Sequence, residues 1–343
     1  MLLPRPRGPL SARLRHLLLE GTEELEELDR AAGRAAMTPP GSVLDDEDLQ
    51  LSLWMIYELS FRGFEDVDDR WESAPEVAGL RAVLERPFEE ALRDATEGWV
   101  DRALAVEGDV ADQVFALTEG FDEGPDLSRF VRRDATPEQV CDFLRQRSIY
   151  HLREADPHTF VIPRLTGPAK AHLVELQYDE YGGGRPGFLH HELFAVTLRE
   201  AGLDDAFGAY LDEADAPTLA ATNAMSLFCL HRRLRGVAMG HLAAFEATSS
   251  IPCRRIAAGL RRTGFSDLAA RYYDEHVEAD AVHEQLAARE ICGTLVDAGD
   301  VTARDVIMGA AACLVLDARQ SEALMARWDE DGAGKAEAME AVR

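Results

Sequence analysis

Lysine is scarce in this sequence, and closely spaced cysteines are absent. Of its 343 residues only Lys170 and Lys335 are lysine, whereas arginine is abundant, which reflects genome composition and predicts no function. The five cysteines lie far apart and form no CxxC pair. Such spacing is typical of reduced, mostly buried thiols in a cytoplasmic protein and not of a disulfide framework. We therefore expect a cytoplasmic location.

The sequence also lacks the long apolar runs of a membrane protein. Residues 1–19 carry four arginines among short apolar runs, and no later segment approaches the length that spans a bilayer. The formal net charge is −27, with acidic residues spread along the chain, so the surface repels phosphate backbones and anionic lipid. GxGxxG and P-loop motifs are absent as well. We expect no signal peptide, no membrane and no nucleic-acid partner, and a small molecule as substrate.

Almost every long segment fits a helix, and alternating β-branched runs are nearly absent. The sequence predicts an all-α bundle in three parts. Residues 1–125 form helices that pack on the bundle or make the face of a homodimer, residues 126–329 form the bundle, and residues 330–343 form a disordered tail. We expect one helix over 216–247, ending near Ser249–Pro252 because proline cannot continue the hydrogen-bond ladder.

The strongest chemical signal is a polar stripe in the helix predicted for residues 266–297. His276, Asp280 and His283 are spaced i, i+4 and i+7, which places them within about 60° of one another on a helix. A buried stripe is normally apolar because unpaired polar groups are costly to bury. Coordination of a metal ion would supply the missing partner. The alternative is that the stripe faces solvent, in a helix that carries several other acidic residues.

Two other segments carry candidate ligands. Glu246 lies among small apolar residues, and this pattern fits a metal ligand as well as a surface or capping carboxylate. Glu180 ends a predicted helix, three glycines follow it, and His190 begins the next helix, so a tight turn would bring both side chains to one centre. His191 points to a different side of that helix, so at most one of the two histidines faces the core. We expect it to be His190.

The charges of these side chains fit two divalent ions better than one. Glu180, Glu246 and Asp280 supply three negative charges against four positive ones, with neutral imidazoles completing the shells. One more carboxylate would balance the site, and Glu154 is the candidate. Carboxylate and imidazole ligands favour iron or manganese, although these ligand types also permit zinc. The Glu-x-x-His pairs of ferritin-like carboxylate bundles are absent from the sequence.

Three motifs resemble those of the haem-oxygenase-like diiron oxidases and oxygenases, which are often labelled iron-containing redox enzymes. They are Asp-Glu-Tyr-Gly-Gly-Gly-Arg-Pro at 179–186 with His190 after it, Ala-Phe-Glu-Ala-Thr-Ser-Ser-Ile-Pro at 244–252, and Glu-His-Val-Glu-Ala-Asp-Ala-Val-His-Glu at 275–284. The resemblance implies a haem-oxygenase-like helical bundle with additional N-terminal helices, binding two irons instead of haem. A seventh carboxylate, seen in the N-oxygenating members, falls on Glu154. The ligands that the resemblance implies are Glu180, His190, Glu246, His276, Asp280 and His283.

The same resemblance implies a non-haem diiron oxidoreductase with two Fe(II)/Fe(III) ions, O2 as co-substrate and an external reductant that the sequence does not identify. The extra carboxylate and the glycine-rich turn look most like the N-oxygenases. We therefore expect N-oxygenation of an amine, amino acid or amino-heterocycle in specialised biosynthesis, with no catalytic residue beyond the metal ligands. Cleavage of a C–C bond in an amino or fatty acid is the alternative reaction. A non-catalytic metal-binding or interaction bundle is the alternative of another class.

Overall fold

In a computed structural model, the described residues form helices and contain no β-strand, which confirms the all-α prediction. The structure describes the backbone of residues 1–21 and 25–341, and the side chains of those residues except 278–282 and 331–341. Local signals set many helix ends. Thr136, for example, caps the helix that starts at Pro137, because its hydroxyl accepts from the backbone of Gln139 and the Gln139 side chain bonds back.

The helices fall into an N-terminal set and a bundle. The N-terminal set is α1 (Pro9–Glu20), α2 (Leu25–Ala35), α3 (Pro40–Val43), α4 (Glu47–Glu58), α5 (Pro75–Leu104) and α6 (Val110–Gly120). The bundle follows as α7 (Leu127–Arg133), α8 (Pro137–His151), α9 (Asp156–Thr159), α10 (Gly167–Glu180), α11 (His190–Glu200), α12 (Ala216–Leu230), α13 (Arg235–Arg262), α14 (Asp267–Gln285), α15 (Thr294–Asp297) and α16 (Ala303–Ala341). A π-helical segment, Leu286–Gly293, joins α14 to α15.

The N-terminal helices lie on the bundle. α4 packs against α12, and α5 and α6 pack against α16, so that one apolar core runs through both sets. A buried ion pair joins them: Arg153 Nη1, from the segment after α8, lies 2.5 Å from Glu58 Oε2 at the end of α4. Both side chains are fully excluded from solvent. The domain boundary at residue 125 and the homodimer face stay predictions.

Helix α13 occupies the middle of the bundle, where it packs against α7, α14 and α16. Its approach to α16 is close because glycines lie at the crossing. A Cβ at Gly240 would overlap the carbonyl of Val306, and a Cβ at Gly309 would overlap the carbonyl of Val237. The crossing fixes the position of α13 and therefore of the polar side chains that follow Gly240 on this helix.

Helix α13 also passes through Pro252 without ending, so the predicted helix end is wrong. Proline removes one hydrogen bond from the ladder and its ring crowds the preceding turn. The hydroxyls of Thr248 and Ser249, in that turn, donate to the carbonyls of Ala244 and Phe245. Packing on several sides holds the helix across the proline, which the local sequence does not reveal.

Two other sequence expectations concern segment limits. The helix predicted over 216–247 is interrupted by a 3-10 turn, Arg232–Leu234, that separates α12 from α13. The predicted tail, residues 330–343, overlaps the end of α16, whose backbone is described to Ala341. The side chains of 331–341 and all of 342–343 lie outside the described part, and disorder of the tail stays a prediction. Among the helices of the described part, none combines the length and apolarity needed to cross a membrane.

Candidate metal centre

A glycine-rich turn brings Glu180 and His190 together. Glu180 is the last residue of α10 and His190 the first of α11. The intervening Gly182, Gly183 and Gly184 all have positive φ, and a Cβ at Gly182 would overlap the backbone of the segment that leads to α11. The turn places His190 Nδ1 2.9 Å from Glu180 Oε2, with both side chains buried.

Glu154 enters the same centre from the segment between α8 and α9. Its carboxylate is buried and lies 3.0 Å from His276 Nε2. The hydroxyl of Tyr272 donates to its other oxygen, which also lies 3.3 Å from His151 Nδ1. Glu154 is therefore held by partners from two helices, α8 and α14.

His276 is oriented by its own helix. Its Nδ1 donates to the backbone carbonyl of Tyr272 at 2.8 Å, one turn earlier in α14. With the proton on Nδ1, the lone pair of Nε2 faces Glu154 and the centre of the bundle. A backbone acceptor of this kind is typical of histidines that bind metals.

Glu246 and His283 form the other side of the centre. Glu246 projects from α13 into the bundle, and its Oε2 lies 3.5 Å from His283 Nδ1. The opposite ring nitrogen, His283 Nε2, lies 3.3 Å from the carboxylate of Asp179, which is half exposed. Asp179 thus orients the ring from outside while Nδ1 faces Glu246.

These side chains form two groups that meet at Glu180. Glu154, Glu180, His190 and His276 each offer a ligand atom, and these atoms all lie within 4.8 Å of one another. Glu180, Glu246 and His283 form a second group by the same measure. Asp280, the remaining predicted ligand, is part of α14, but its side chain lies outside those that the structure describes.

The donor set fits cations. All members of both groups are buried carboxylates and imidazoles, which suit iron or manganese. The Nδ1 atoms of His190 and His283 each face a carboxylate, yet neither makes a hydrogen bond of acceptable geometry among the described residues. A cation between each imidazole and its carboxylate would satisfy both. The shared Glu180 would then touch two ions.

The electrostatics of the centre also favour a cation. Burial by itself raises the pKa of Glu154, but the imidazoles of His151 and His276 beside its carboxylate hold that pKa well below its usual range. Burial, and then the charge of Glu180, raise the pKa of Glu246. Burial lowers the pKa of His283, and the carboxylates of Glu246 and Asp179 outweigh it, so this pKa rises to about 9. The raised pKa values of Glu246 and His283 both reflect the negative charge around them, which a bound cation would also offset.

A cavity of about 280 Å³ lies beside the centre, bounded by α8, α12, α13, α14 and α16. Tyr150, Phe245 and His276 line this cavity and also line a small void between the candidate ligands. The Tyr150 and Phe245 rings pack edge to face with centroids 5.3 Å apart. These three side chains are thus the wall between the cavity and the candidate ligands.

Sequence reasoning did not assign a role to several residues around the ligands. Tyr272 appears in the sequence as one of two adjacent core tyrosines, yet its hydroxyl bonds both His151, at 2.8 Å, and Glu154. Asp179 precedes Glu180 and contacts His283, and an acidic residue beside a candidate ligand is the only sequence signal for it. His191 points away from the centre, toward Glu192, with its side chain 21% exposed.

Comparison with known proteins shows the family. A family model described as iron-containing redox enzyme matches residues 141–318, more than half of the chain. A nitrosourea synthase from Streptomyces achromogenes subsp. streptozoticus is 26% identical over 235 residues, which cover 67% of this chain and 49% of that protein, so the chain spans about half the length of this relative. A crystal structure of a CADD-like protein of unknown function from Nostoc punctiforme aligns with a TM-score of 0.43 and 17% identity over 68% of this chain and 96% of that one.

The family match confirms the resemblance that the three motifs carry, and with it the haem-oxygenase-like all-α bundle preceded by additional N-terminal helices. The match also covers Glu154, both sides of the glycine-rich turn and the candidate ligands of α13 and α14. The chain therefore belongs to the iron-containing redox enzymes.

Proposed function

We propose that this protein is a non-haem diiron oxygenase that inserts oxygen into a nitrogen–hydrogen bond of a small substrate. One observation carries the proposal: two buried groups of carboxylates and imidazoles meet at Glu180, as a site for two adjacent cations requires. Thiolates are absent from both groups. The proposed ligands are Glu154, Glu180, His190, Glu246, His276, Asp280 and His283.

The proposed reaction consumes one dioxygen molecule for each nitrogen oxidised. An amine R–NH2 gains one oxygen atom to become R–NHOH, and the other oxygen atom leaves as water. Two electrons and two protons come from an external reductant. The proposed ligands would hold two iron ions, which would supply open coordination positions for dioxygen and redox capacity for these electrons.

The protein's own side chains hold and shield the centre. Tyr272 and the backbone carbonyl that binds His276 fix the directions of Glu154 and His276. The packed rings of Tyr150 and Phe245 lie between the centre and the cavity. A substrate in the cavity would therefore reach the centre past Tyr150, Phe245 and His276.

Two features favour nitrogen over carbon as the atom oxidised. Glu154 is buried in the first group of proposed ligands, and the motif resemblance implies that it corresponds to the extra carboxylate of the N-oxygenating members. The relative named nitrosourea synthase makes a product whose name denotes an N–N=O group. Oxidative cleavage of a C–C bond is the second candidate, because the same centre would serve it. A non-catalytic metal-binding bundle is the third.

Metal stoichiometry tests the centre. We expect anaerobic titration with Fe(II) to reach two equivalents in the wild type, because two groups are present. Glu180→Ala removes the shared carboxylate and should reduce binding below one equivalent, whereas Glu246→Ala should retain about one. Glu192→Ala, which changes an exposed carboxylate beside His191, is the control and should keep two. Saturation of the wild type at one equivalent would overturn the diiron proposal.

Product analysis tests the reaction. The iron-loaded protein, a chemical reductant and isotopically labelled dioxygen are incubated with a panel of amines, amino acids and amino-heterocycles. We expect a product that has gained one labelled oxygen on nitrogen. Loss of carbon from the substrate would favour C–C cleavage, and two bound irons without any oxidised product would favour the non-catalytic bundle. The cytoplasmic location and the homodimer stay predictions.

A further inference from the structure

The cavity beside the centre has walls that are mostly apolar. At about 280 Å³ it lies near the lower end of small-molecule sites, which span about 300–1,000 Å³. Three hydroxyl groups in the wall are already bonded: those of Thr222, Thr248 and Ser249 each donate to a backbone carbonyl of their own helix. The remaining surface comes mainly from apolar side chains, among them Phe143, Met225, Phe245, Ile256, Leu314 and Leu316.

The charged side chains of the wall are mainly acidic. Among the described residues that line the cavity, Arg147 carries the only permanent positive charge, against the carboxylates of Glu123, Asp126 and Asp317. The Arg147 guanidinium is engaged twice, with Asp317 Oδ1 at 2.7 Å and Gln320 Oε1 at 3.0 Å. A substrate carboxylate would find acidic neighbours here and a cation that already has its partner.

Two buried polar atoms in the wall lack a hydrogen-bond partner among the described residues. They are Tyr273 Oη and His241 Nδ1, and both side chains line the cavity. Buried polar groups are normally paired, so such a group in a cavity wall points to a ligand that carries a donor or acceptor. Neither atom carries a permanent charge that would fit an ionised group of the ligand.

We propose that the cavity takes a carboxylate-free amine or amino-heterocycle with an apolar body, and that it rejects the corresponding α-amino acid. The amine end would lie at the wall formed by Tyr150 and His276, and at most one uncharged polar group of the body would meet Tyr273 or His241. This inference rests on the proposed N-oxygenation and selects among the substrates that N-oxygenation allows. The selection follows from the charge of the wall and not from the metal centre.

Matched ligand pairs test this selection directly. Phenethylamine is compared with phenylalanine, and isopentylamine with leucine, because the members of each pair differ only by a carboxylate. Binding to the Fe(II)-loaded protein is measured by calorimetry without dioxygen or reductant, so the readout does not depend on oxidation. We expect each amine to bind at least about ten times more tightly than its amino acid. Equal or tighter binding of the amino acids, or no binding of either amine, would overturn the inference.

A variant that leaves the Arg147 guanidinium without its acidic partner should bind the amino acid more tightly. Asp317→Asn removes the partner of Arg147, so phenylalanine should bind about tenfold more tightly than to the wild type. Asp101→Asn removes the same charge from an exposed ion pair with Arg304, away from the cavity, and should leave the preference unchanged. An unchanged preference in Asp317→Asn would show that Arg147 does not decide the selection and would overturn the charge argument.

The two proposals fail in different ways. If the amines bind with the expected preference but no nitrogen is oxidised, the N-oxygenation proposal fails and the selection by the cavity stands. If amino acids are oxidised on nitrogen and bind more tightly than amines, N-oxygenation stands and the selection fails. Calorimetry and product analysis on one preparation therefore separate the two results.

Discussion

The hydroxyl of Tyr272 donates a hydrogen bond to the carboxylate of Glu154, 118 positions away in the chain. The same hydroxyl lies 2.8 Å from His151 Nδ1, so one phenol joins α14 to the end of α8 at the proposed metal centre. Partners that orient a ligand in this way usually change metal affinity when they are removed.

We predict that Tyr272→Phe weakens the binding of the ion held by Glu154, because the carboxylate loses its orienting donor. The expected loss in affinity is about 10- to 100-fold, measured by anaerobic Fe(II) or Co(II) titration. Tyr273→Phe is a matched control: it removes the same hydroxyl one residue later, where that group has no partner among the described residues. Equal losses in both variants would contradict the role of Tyr272. We expect Tyr273→Phe instead to weaken amine binding about two- to tenfold.

The crossing of α13 and α16 gives a prediction about stability. Gly240→Ala should lower the free energy of unfolding by about 3 kcal/mol or more, because its methyl group would overlap the carbonyl of Val306. Gly98→Ala makes the same change in α5, where no atom lies within 4 Å, and should raise it by about 0.5–1 kcal/mol. Urea denaturation measures both. An unchanged free energy of unfolding in Gly240→Ala would show that α13 and α16 can move apart without loss of stability.

The buried pair of Glu58 and Arg153 gives a second prediction about stability. Burial raises the pKa of Glu58 and lowers the pKa of Arg153, so each charge depends on the other. Glu58→Gln leaves the Arg153 guanidinium buried without its counter-ion and should lower the free energy of unfolding by about 3–5 kcal/mol. Asp101→Asn, in an exposed pair with Arg304, should cost less than about 1 kcal/mol. Similar values for the two variants would contradict a coupling of the N-terminal helices to the bundle through this pair.

Stability should also fall in mild acid, and His241 is one cause. Burial lowers its pKa from the ordinary 6.5 to about 3. Below about pH 6.5 the unfolded chain binds a proton that the folded protein excludes, so stability is lost as the pH falls from about 6.5 toward about 3. Between pH 7 and pH 5 this residue should account for about 2 kcal/mol of that loss.

Denaturation at the two pH values checks this expectation. His241→Gln should show a smaller difference between pH 7 and pH 5 than the wild type, because its side chain does not titrate. His16→Gln, a substitution in α1 and outside the cavity wall, is the control and should keep the wild-type difference. An identical pH dependence in wild type and His241→Gln would contradict the burial of a neutral imidazole at this position. His158, whose pKa burial lowers to about 4, should add a loss of the same sign.

The sequence predicts those parts of the site that depend on spacing along one segment. Three glycines between Glu180 and His190 require a tight turn, and the structure has it. The i and i+7 spacing of His276 and His283 places both on α14, and both are buried. The proposed ligands cluster because each of these local patterns places its polar side chain on the face of a helix that is buried in the bundle.

The sequence does not predict what depends on packing between distant segments. Pro252 is a local signal for a helix end, but the contacts of α13 on several sides outweigh it. The hydrogen bond between Tyr272 and Glu154 joins residues 118 positions apart, and the sequence around either residue does not predict it. The sequence does not predict the cavity either, because its walls come from five helices whose spacing is set only in the folded state. These helices are α8, α12, α13, α14 and α16.

Phe245 and Glu246 are consecutive residues of α13, the first in the cavity wall and the second among the proposed ligands. A molecule that presses on Phe245 will therefore act on the same turn of helix that positions Glu246. Thermodynamic reciprocity then requires that, if occupancy of the cavity changes iron affinity, iron changes the affinity of the cavity by the same factor. If the two sites are coupled in this way, removal of iron from the proposed centre by a chelator would change the affinity of the cavity for its ligand by that factor.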